Sequence, residues 1–329
     1  MPQYKSVWIE AQDEEFLTHI VERNSDDLNS DELLIQVHYS SLNFKDALSS
    51  AGNKGVTRHF PHQPGIDAAG IVVKSSVAEF TAGDEVIVTG YDLGMNTAGG
   101  LGQYIAIPAK WAIKKPQGLS LRQSMLFGTA GLTAGLCVNK LLQMGLETSA
   151  GDVLVTGSTG GVGSIAINLL HQQGFTVIAS SGKPDKLDYL KSIGASERLD
   201  RKTLSASNKK PLLGERFSAA IDVVGGQTLS NVLKQIKAGG SVAICGLVES
   251  AQFDATVLPF ILRGINLLGV DSVEISLAEK QAVWQSLSEL EDYAALEIIN
   301  TEISLEEVPE TLALMLKGAS EGHYIVKML

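Results

Sequence analysis

The clearest arrangement of apolar and polar positions in the chain lies over residues 152–170. A short apolar run, Val153–Val155, is typical of a buried parallel strand, and a glycine-rich stretch follows it. Apolar residues then recur at helical spacing, at positions 162, 165, 166, 169 and 170. The pattern predicts a strand, a tight turn and a helix, in that order.

The same alternation of strand and helix extends over the middle of the chain. A helix is predicted at Leu126–Leu142, and five further apolar runs follow the first strand. These runs are Phe175–Ser180, Ala195–Leu199, Ala219–Val224, Ser241–Cys245 and Ile265–Val270. Six strands joined by crossover helices predict an α/β fold with a doubly wound parallel sheet of the Rossmann type.

The two ends of the chain lack this alternation. Residues 1–123 contain short apolar runs, spaced too closely for helices between them, at Ser6–Ile9, Leu33–Val37, Ala68–Val73, Glu85–Val88 and Gln103–Ile107. They predict a mostly β domain, shaped as a distorted barrel. Beyond residue 273, two predicted helices and a final strand at His323–Met328 indicate a return to that domain. We therefore expect domains at 1–123, 124–272 and 273–329.

Composition narrows the class of protein. The chain has 329 residues, enough for two domains that each bury a core. Its 26 basic and 37 acidic residues give a net charge of −11, which argues against nucleic acid or an anionic membrane as the main partner. The N-terminus lacks the pattern of a signal peptide, and no run of about 18 uninterrupted apolar residues suggests a membrane span. We expect a cytoplasmic protein with free thiols at Cys137 and Cys245.

The glycine-rich stretch suggests a ligand. Residues without Cβ atoms let a phosphate approach the backbone, and the first N–H groups of the following helix attract an anion. The spacing, Gly157-x-x-Gly160-x-x-Gly163, is one residue longer at its start than the usual dinucleotide fingerprint. The stretch therefore predicts a site for the pyrophosphate of a dinucleotide, with a ligand-free tight turn as the alternative.

The end of the second strand indicates which dinucleotide. NAD-binding domains usually carry an acidic residue there for the ribose 2′-hydroxyl, whereas a 2′-phosphate needs small hydroxyl residues and a cation. Here the chain reads Ser180-Ser181-Gly182-Lys183, with no carboxylate before Asp185. The sequence predicts NADPH, and the alternative is a solvated loop with an incidental lysine.

Four motifs occur in order along the chain, at Pro64–Gly70, Gly83–Ile87, Gly99–Tyr104 and Val155–Gly163. With these motifs, the chain resembles the medium-chain dehydrogenase/reductase superfamily over its whole length. Four further blocks are similar to the quinone-oxidoreductase branch of the YhdH/YhfP type, which includes NADPH-dependent acrylyl-CoA reductases. These blocks are Ser41–Leu48, Gly128–Ala134, Asp188–Ala195 and Pro259–Arg263. The resemblance implies a GroES-like β domain beside the Rossmann domain.

The superfamily includes zinc enzymes, so whether to expect a metal ion depends on which side chains could serve as zinc ligands. A catalytic zinc needs thiolate and imidazole groups. This chain has Gly65-Ile66-Asp67 where the zinc enzymes have Gly-His-Glu, and it has only two cysteines. The six histidines, at positions 19, 38, 59, 62, 171 and 323, are too scattered to replace such a set. We expect no metal.

The resemblance also implies which residues contact the cofactor. Those expected at the pyrophosphate are Thr159, Gly160, Gly161 and Val162. Those expected at the 2′-phosphate are Ser181, Gly182, Lys183 and Arg201. Those expected at the nicotinamide are Leu247, Ile261 and Ser272. Phe44 is a departure in the same cofactor region, because the family commonly has tyrosine there.

The polar stretch Ser40–Asp46 follows a predicted strand at the mouth of the β domain, next to the cofactor domain, where substrate contacts are expected. We expect hydride transfer to the β-carbon of an α,β-unsaturated thioester, with Asn43 donating to the carbonyl oxygen. Lys45 or Asp46, or water, would supply the proton. The alternatives are a helix-capping role for Asp46 and a salt bridge for Lys45.

Two other functions remain open on the sequence. A quinone reductase would lack the basic pocket that CoA phosphates need, to which Arg263 and the Lys209–Lys210 pair are possible contributors. A non-catalytic NADPH-binding protein would bind the cofactor without turnover. The apolar run Ile265–Val270 would be an exposed sheet edge in a monomer, so we also expect a homodimer joined through it or the segment after it.

Overall fold

The computed structural model describes residues 3–13, 15–28 and 32–329. The chain groups into two compact units. Unit 1 comprises Met1–Leu132, Ser272–Glu291 and Asn300–Leu329, and unit 2 comprises Thr133–Asp271 and Asp292–Ile299. The first boundary follows residue 132, whereas we expected it after residue 123, and residues 292–299 group with unit 2 instead of with the expected return segment.

The N-terminal part of the chain is mostly β structure. Its strands are β1 (Gln3–Gln12), β2 (Glu15–Asn24), β3 (Leu33–Leu42), β4 (Asp67–Ser75), β5 (Glu85–Thr89), β6 (Tyr104–Ile107) and β7 (Ala112–Lys114). Its helices are α1 (Phe44–Ser50) and α2 (Leu121–Gln143), the second of which runs into unit 2. The period-2 pattern of β3 is clear, because Leu33, Ile35 and Val37 are buried while their neighbours are partly exposed.

The middle of the chain alternates strands with helices. The strands are β8 (Val153–Val155), β9 (Val177–Ser181), β10 (Glu197–Asp200), β11 (Phe217–Asp222), β12 (Ile236–Ile244) and β13 (Asn266–Gly269). The helices are α3 (Gly161–Gln172), α4 (Leu187–Ser192), α5 (Lys202–Ser205), α6 (Gly226–Leu233) and α7 (Leu258–Arg263). All strand pairs are parallel, in the order β10-β9-β8-β11-β12-β13, which confirms the predicted doubly wound sheet.

The C-terminal elements are α8 (Leu277–Ser288), α9 (Ala294–Ile299), β14 (Asn300–Ser304), α10 (Val308–Leu316) and β15 (His323–Lys327). In unit 1, a seven-stranded sheet has the order β14-β15-β3-β4-β5-β7, with β6 paired to β3, and β1 pairs with β2 in a separate sheet. Each of the predicted β runs lies in or overlaps a strand. The prediction missed β2, whose alternation is blurred by half-buried side chains, β7, which has only three residues, and β14, which has only one buried residue.

Helix α2 is long and apolar enough to cross a membrane, a feature that the sequence analysis did not recognise. However, 78% of its most apolar window is buried inside the structure. Gly128 also interrupts the helix, with φ 51° and ψ −155°. These are the features of a core helix.

His323 at the start of β15 is fully buried and neutral. Its Nδ1 lies 2.8 Å from Asn300 Oδ1, and Asn300 Nδ2 donates to Leu126 O at 3.1 Å. Because the amide nitrogen of Asn300 is already engaged, its oxygen must accept from Nδ1–H, which assigns the tautomer. Burial lowers the pKa of His323 to about 4.

We expect this histidine to destabilise the fold in acid. As pH falls from 6.5 towards 4, this histidine becomes protonated in the unfolded chain but stays neutral in the folded protein. The free energy of unfolding therefore drops by about 3 kcal/mol at pH 4. Urea unfolding at pH 7 and pH 4.5 should show a smaller drop for His323→Gln than for the wild type. The exposed control His59→Gln should keep the wild-type drop, and an unchanged drop in His323→Gln would contradict the assignment.

Candidate active site

A glycine turn joins β8 to α3. Gly157 has φ 60°, a conformation that side chains with a Cβ rarely adopt. A Cβ on Gly163 would lie 2.4 Å from Gly157 O, so only glycine lets the first turn of α3 approach the loop this closely. The glycine spacing is therefore a packing requirement of the turn.

The start of α3 presents the groups that an anion needs. The first intrahelical bond is made by Ser164 N, which donates to Gly160 O at 2.9 Å. The N–H groups of Gly161, Val162 and Gly163 have no acceptor within the helix, as at every helix N-terminus. Thr159, Gly160, Gly161 and Val162 are all accessible there. The structure thus brings together the four residues expected at the pyrophosphate, and the backbone fits one.

Hydrogen bonds beneath the turn hold it in place. Ser158 Oγ lies within hydrogen-bonding distance of Val155 O (2.7 Å) and Ser180 O (3.0 Å). Ser164 Oγ donates to Ser158 O, and Tyr189 OH donates to Ser164 Oγ at 2.8 Å. The turn is thereby tied to the end of β9, where the 2′-phosphate is expected.

Two arginines lie at the end of β9. A Cβ on Gly182 would meet Arg201 Nε at 2.4 Å, so the Arg201 side chain lies directly against this glycine. Arg198 donates from Nη1 to Ser181 O at 3.0 Å, and Ser181 Oγ accepts from Lys183 N at 3.1 Å. The structure thus groups the four residues expected at a 2′-phosphate. It adds Arg198, which the sequence analysis missed because its place depends on the pairing of β10 with β9.

The residues expected at the nicotinamide are not grouped in one unit. Leu247 and Ile261 belong to unit 2, with 62% and 68% of their surfaces exposed. Ser272 and Phe44 belong to unit 1, and Phe44 is 47% exposed. The contacts expected for these four residues stay predictions.

In unit 1, a buried carboxylate organises the region around Asn43. Asp67, at the start of β4, is fully buried and accepts four hydrogen bonds. The donors are Ser41 Oγ (2.5 Å), Asn43 Nδ2 (2.7 Å), Thr129 N (2.8 Å) and Thr129 Oγ1 (2.5 Å). Burial raises the pKa of Asp67, while these donors oppose the rise. Asp67 therefore joins β3, the start of α1 and α2.

The interruption of α2 at Gly128 provides one of the hydrogen-bond donors to Asp67. With its φ of 51°, Gly128 directs the next backbone N–H, that of Thr129, at Asp67. A Cβ on Gly128 would lie 2.3 Å from Ser41 Oγ and 2.7 Å from Asp67 Oδ2. Glycine is thus required both for the backbone conformation and for the space.

Asp46 is also fully buried, and both of its oxygens are engaged. Oδ2 accepts from Asn43 N at 2.8 Å, and Oδ1 accepts from Ile66 N at 3.1 Å. Burial raises its pKa to about 7, and the nearby charge of Asp67 adds to the rise. Asp46 therefore caps α1 and positions Asn43 from behind, so the expected role as a proton donor to substrate is not supported.

The expected role of Asn43 as a donor to a substrate oxygen is not supported either. Its Nδ2 donates to Asp67, and its second amide hydrogen is directed towards Ser41 O at 3.5 Å. Both amide hydrogens are thus turned into the protein, which leaves Oδ1 as an acceptor. Lys45 is half-buried in the first turn of α1, where the helix dipole disfavours a cation. Its expected action on substrate stays a prediction.

No cluster of three or more His, Cys, Asp or Glu side chains suited to a metal ion occurs among residues 3–13, 15–28 and 32–329. At the position where zinc enzymes have Gly-His-Glu, Ile66 has no donor atom in its side chain. Asp67 is occupied by its four hydrogen bonds. The absence of zinc stays a prediction from these residues.

Two family models match the chain, an alcohol dehydrogenase GroES-like domain over residues 29–117 and a zinc-binding dehydrogenase over residues 161–290. YhfP of Bacillus subtilis, named for a proposed quinone oxidoreductase activity, is 42% identical over 326 residues, which cover 99% of both chains. The chain belongs to the medium-chain dehydrogenase/reductase superfamily. It is accordingly an oxidoreductase, as the sequence resemblance implied.

Other members of the superfamily match as extensively. Acrylyl-CoA reductase AcuI of Ruegeria pomeroyi is 41% identical over 300 residues, 91% of each chain. The YhdH oxidoreductase of Salmonella enterica, crystallised in complex with NADP, is 39% identical with a TM-score of 0.96, over 99% of this chain and 100% of that one. YhfP, crystallised with NAD bound, also has a TM-score of 0.96, over 99% of this chain and 100% of its own. These relatives confirm the predicted α/β fold with its GroES-like and Rossmann parts.

We expect Gly128→Ala to destabilise the protein by about 2–4 kcal/mol, because the new Cβ meets Ser41 and Asp67 as well as an unfavourable φ. The matched control is Gly145→Ala, whose φ of 84° is also positive but whose Cβ would meet nothing within 4 Å. Urea unfolding of both variants separates the two costs. Equal losses would show that the space around Asp67 is not critical.

Proposed function

We propose that the protein is an NADPH-dependent reductase that saturates the C=C bond of an α,β-unsaturated thioester of the acrylyl-CoA type, without zinc. The observation that carries the proposal is Lys45, a cation in the first turn of α1, two residues after Asn43, which donates to the buried carboxylate of Asp67. A conjugated thioester develops negative charge on its carbonyl oxygen as it accepts hydride. A fixed ammonium group suits that charge.

NADPH, when bound, would supply the hydride. Asp67 and Asp46 fix the side chain and backbone of Asn43, which sets the direction in which α1 begins. Lys45, in the first turn of α1, stabilises the charge on the thioester oxygen and supplies the proton for the α-carbon, directly or through water. One hydride and one proton thus add across the double bond, and the thioester itself is not cleaved.

The choice of NADPH over NADH is supported by the cations at the end of β9. Arg201 lies against Gly182, and Arg198 is held at Ser181. A 2′-phosphate needs such charged donors, and the strand lacks the carboxylate that would repel it. The complex of the Salmonella YhdH with NADP agrees with this preference.

Quinone reduction is the second candidate, favoured by the name given to YhfP. Of the possible contributors to a basic pocket for CoA, Arg263 is engaged within the protein. Arg263 donates to Lys234 O (2.8 Å) and Leu213 O (2.5 Å), and it pairs with Glu215, so its guanidinium is used within unit 2. The Lys209–Lys210 pair is exposed in a loop and remains an untested contributor.

The deciding experiment is steady-state oxidation of NADPH with acrylyl-CoA or a 1,4-quinone as the acceptor, and with NADH as a control cofactor. We expect acrylyl-CoA to give far the larger kcat/KM, with NADPH preferred. Faster quinone turnover would favour the second candidate, and equal use of NADH would contradict the cofactor proposal. Tight NADPH binding without turnover on any acceptor would instead indicate the non-catalytic alternative.

We expect Lys45→Met to lower kcat/KM for the thioester by about 100- to 1,000-fold, because it removes the charge that stabilises the transition state. Lys45→Arg keeps a cation and should retain part of the rate. The dissociation constant for NADPH, followed by fluorescence, should stay unchanged in both variants. Wild-type turnover in Lys45→Met would remove this residue from the mechanism.

We also propose that the protein is a homodimer joined at β13, the edge strand of the parallel sheet. Exposed apolar side chains that have no expected cofactor contact precede this edge in the chain, at Val248, Val257 and Leu262. Edges and patches of this kind are usually covered in solution. Light scattering at micromolar concentration should give twice the mass of one chain, and a monomer mass would refute it. Localisation in the cytoplasm stays a prediction from the sequence.

A further inference from the structure

We propose that unit 1 carries a separate subsite for the nucleotide end of the CoA thioester, formed by Phe16, Lys54, Arg58 and Phe60. We name these four residues the nucleotide platform. The inference rests on the proposed function, because it concerns the part of the substrate that lies far from the reacting double bond. The ligand class is an adenine nucleotide with a diphosphate and a ribose phosphate.

The aromatic part of the platform consists of two half-buried rings. The ring centroids of Phe16 and Phe60 lie 4.8 Å apart at an interplanar angle of 59°. Lys54 Nζ stands 4.8 Å from the Phe60 centroid and 5.7 Å from the Phe16 centroid. Gly52 makes room for the first ring, since a Cβ there would lie 2.0 Å from Phe16 Cε2. A cation on two ring faces is a combination that binds a purine and its phosphates.

The cationic part of the platform has no acidic partner. Neither Lys54 nor Arg58 forms an ion pair with a carboxylate in the part of the chain that the structure describes. Both side chains are exposed, and they stand four residues apart around a turn in which Thr57 N donates to Asn53 O. In a chain with a net charge of −11, two such cations form a local site for an anion.

Three of the four platform residues, Lys54, Arg58 and Phe60, lie on the segment between α1 and Asp67, and Phe16 lies on β2. Residues 51–66 run from the end of α1 to Asp67, and α1 begins just after Asn43. Ser49 and Thr57 are hydrogen-bonded side chain to side chain at 2.7 Å, which ties this segment to α1. Helix α1 has seven residues, about 10 Å, with Lys45 in its first turn, whereas Lys54, Arg58 and Phe60 follow its C-terminal end. The pantetheine arm of CoA is long enough to cover that distance.

The test compares acrylyl-CoA with acrylyl-pantetheine, which has the same reacting group but no nucleotide. We expect Arg58→Gln and Lys54→Gln each to raise KM for acrylyl-CoA by about five- to tenfold, and Phe16→Leu by a similar factor. KM for acrylyl-pantetheine and kcat for both substrates should hardly change. The control Lys74→Gln removes an exposed lysine of β4 that also has no ion pair among the described residues, and it should leave both KM values unchanged.

A direct measurement separates failure of the subsite from failure of the proposed function. Calorimetry with 3′-phosphoadenosine 5′-diphosphate as the probe should show binding to the wild type and weaker binding to Arg58→Gln, with salt reducing both. Equal KM values for the two thioesters in every variant would overturn the subsite while leaving the reductase intact. If neither thioester is reduced, the proposed function fails, and probe binding that Arg58→Gln does not weaken overturns the subsite as well.

Discussion

The burial of Asp67 is the constraint on which the unit 1 site depends. A carboxylate removed from water is costly unless hydrogen bonds replace the lost solvation. Four donors from β3, the start of α1 and α2 provide that replacement, and they can meet at one point only if α2 breaks at Gly128. The position of Asn43, and with it the start of α1, follows from satisfying this one charge.

Two further buried groups respond to pH in opposite directions. Asp46, with its pKa raised to about 7, contributes stability that is lost as pH rises from 3.8 towards 7. His323 contributes stability that is present above pH 6.5 and lost as pH falls towards 4. Their opposed slopes partly cancel in the wild type. If the free energy of unfolding of the wild type hardly changes with pH, two opposing contributions are still present. Single substitutions at Asp46 and at His323 are needed to measure each of them.

Periodicity and glycine spacing predicted most of the fold, because the β8 turn and the alternating strands are local patterns. The family resemblance predicted the class of protein, an oxidoreductase. The roles within the site were harder to predict, since they depend on which hydrogen bond each atom makes. Asn43 and Asp46 occur in the right motif, yet their polar atoms are turned inward by Asp67 and Ile66. Arg198 gave no local signal, because strand register alone brings it to Ser181.

The four hydrogen bonds to Asp67 limit how easily this region could be engineered to bind a metal ion. Changing Ile66 to histidine would introduce a ligand type that the zinc enzymes of this superfamily have at this position. A metal ion would still have to displace hydrogen bonds from Ser41 and Thr129 to reach Asp67. Ligand grafting alone should then yield weak metal affinity. Conversion between the two types of enzyme requires rebuilding the α2 break as well, which makes it a change of several coordinated steps.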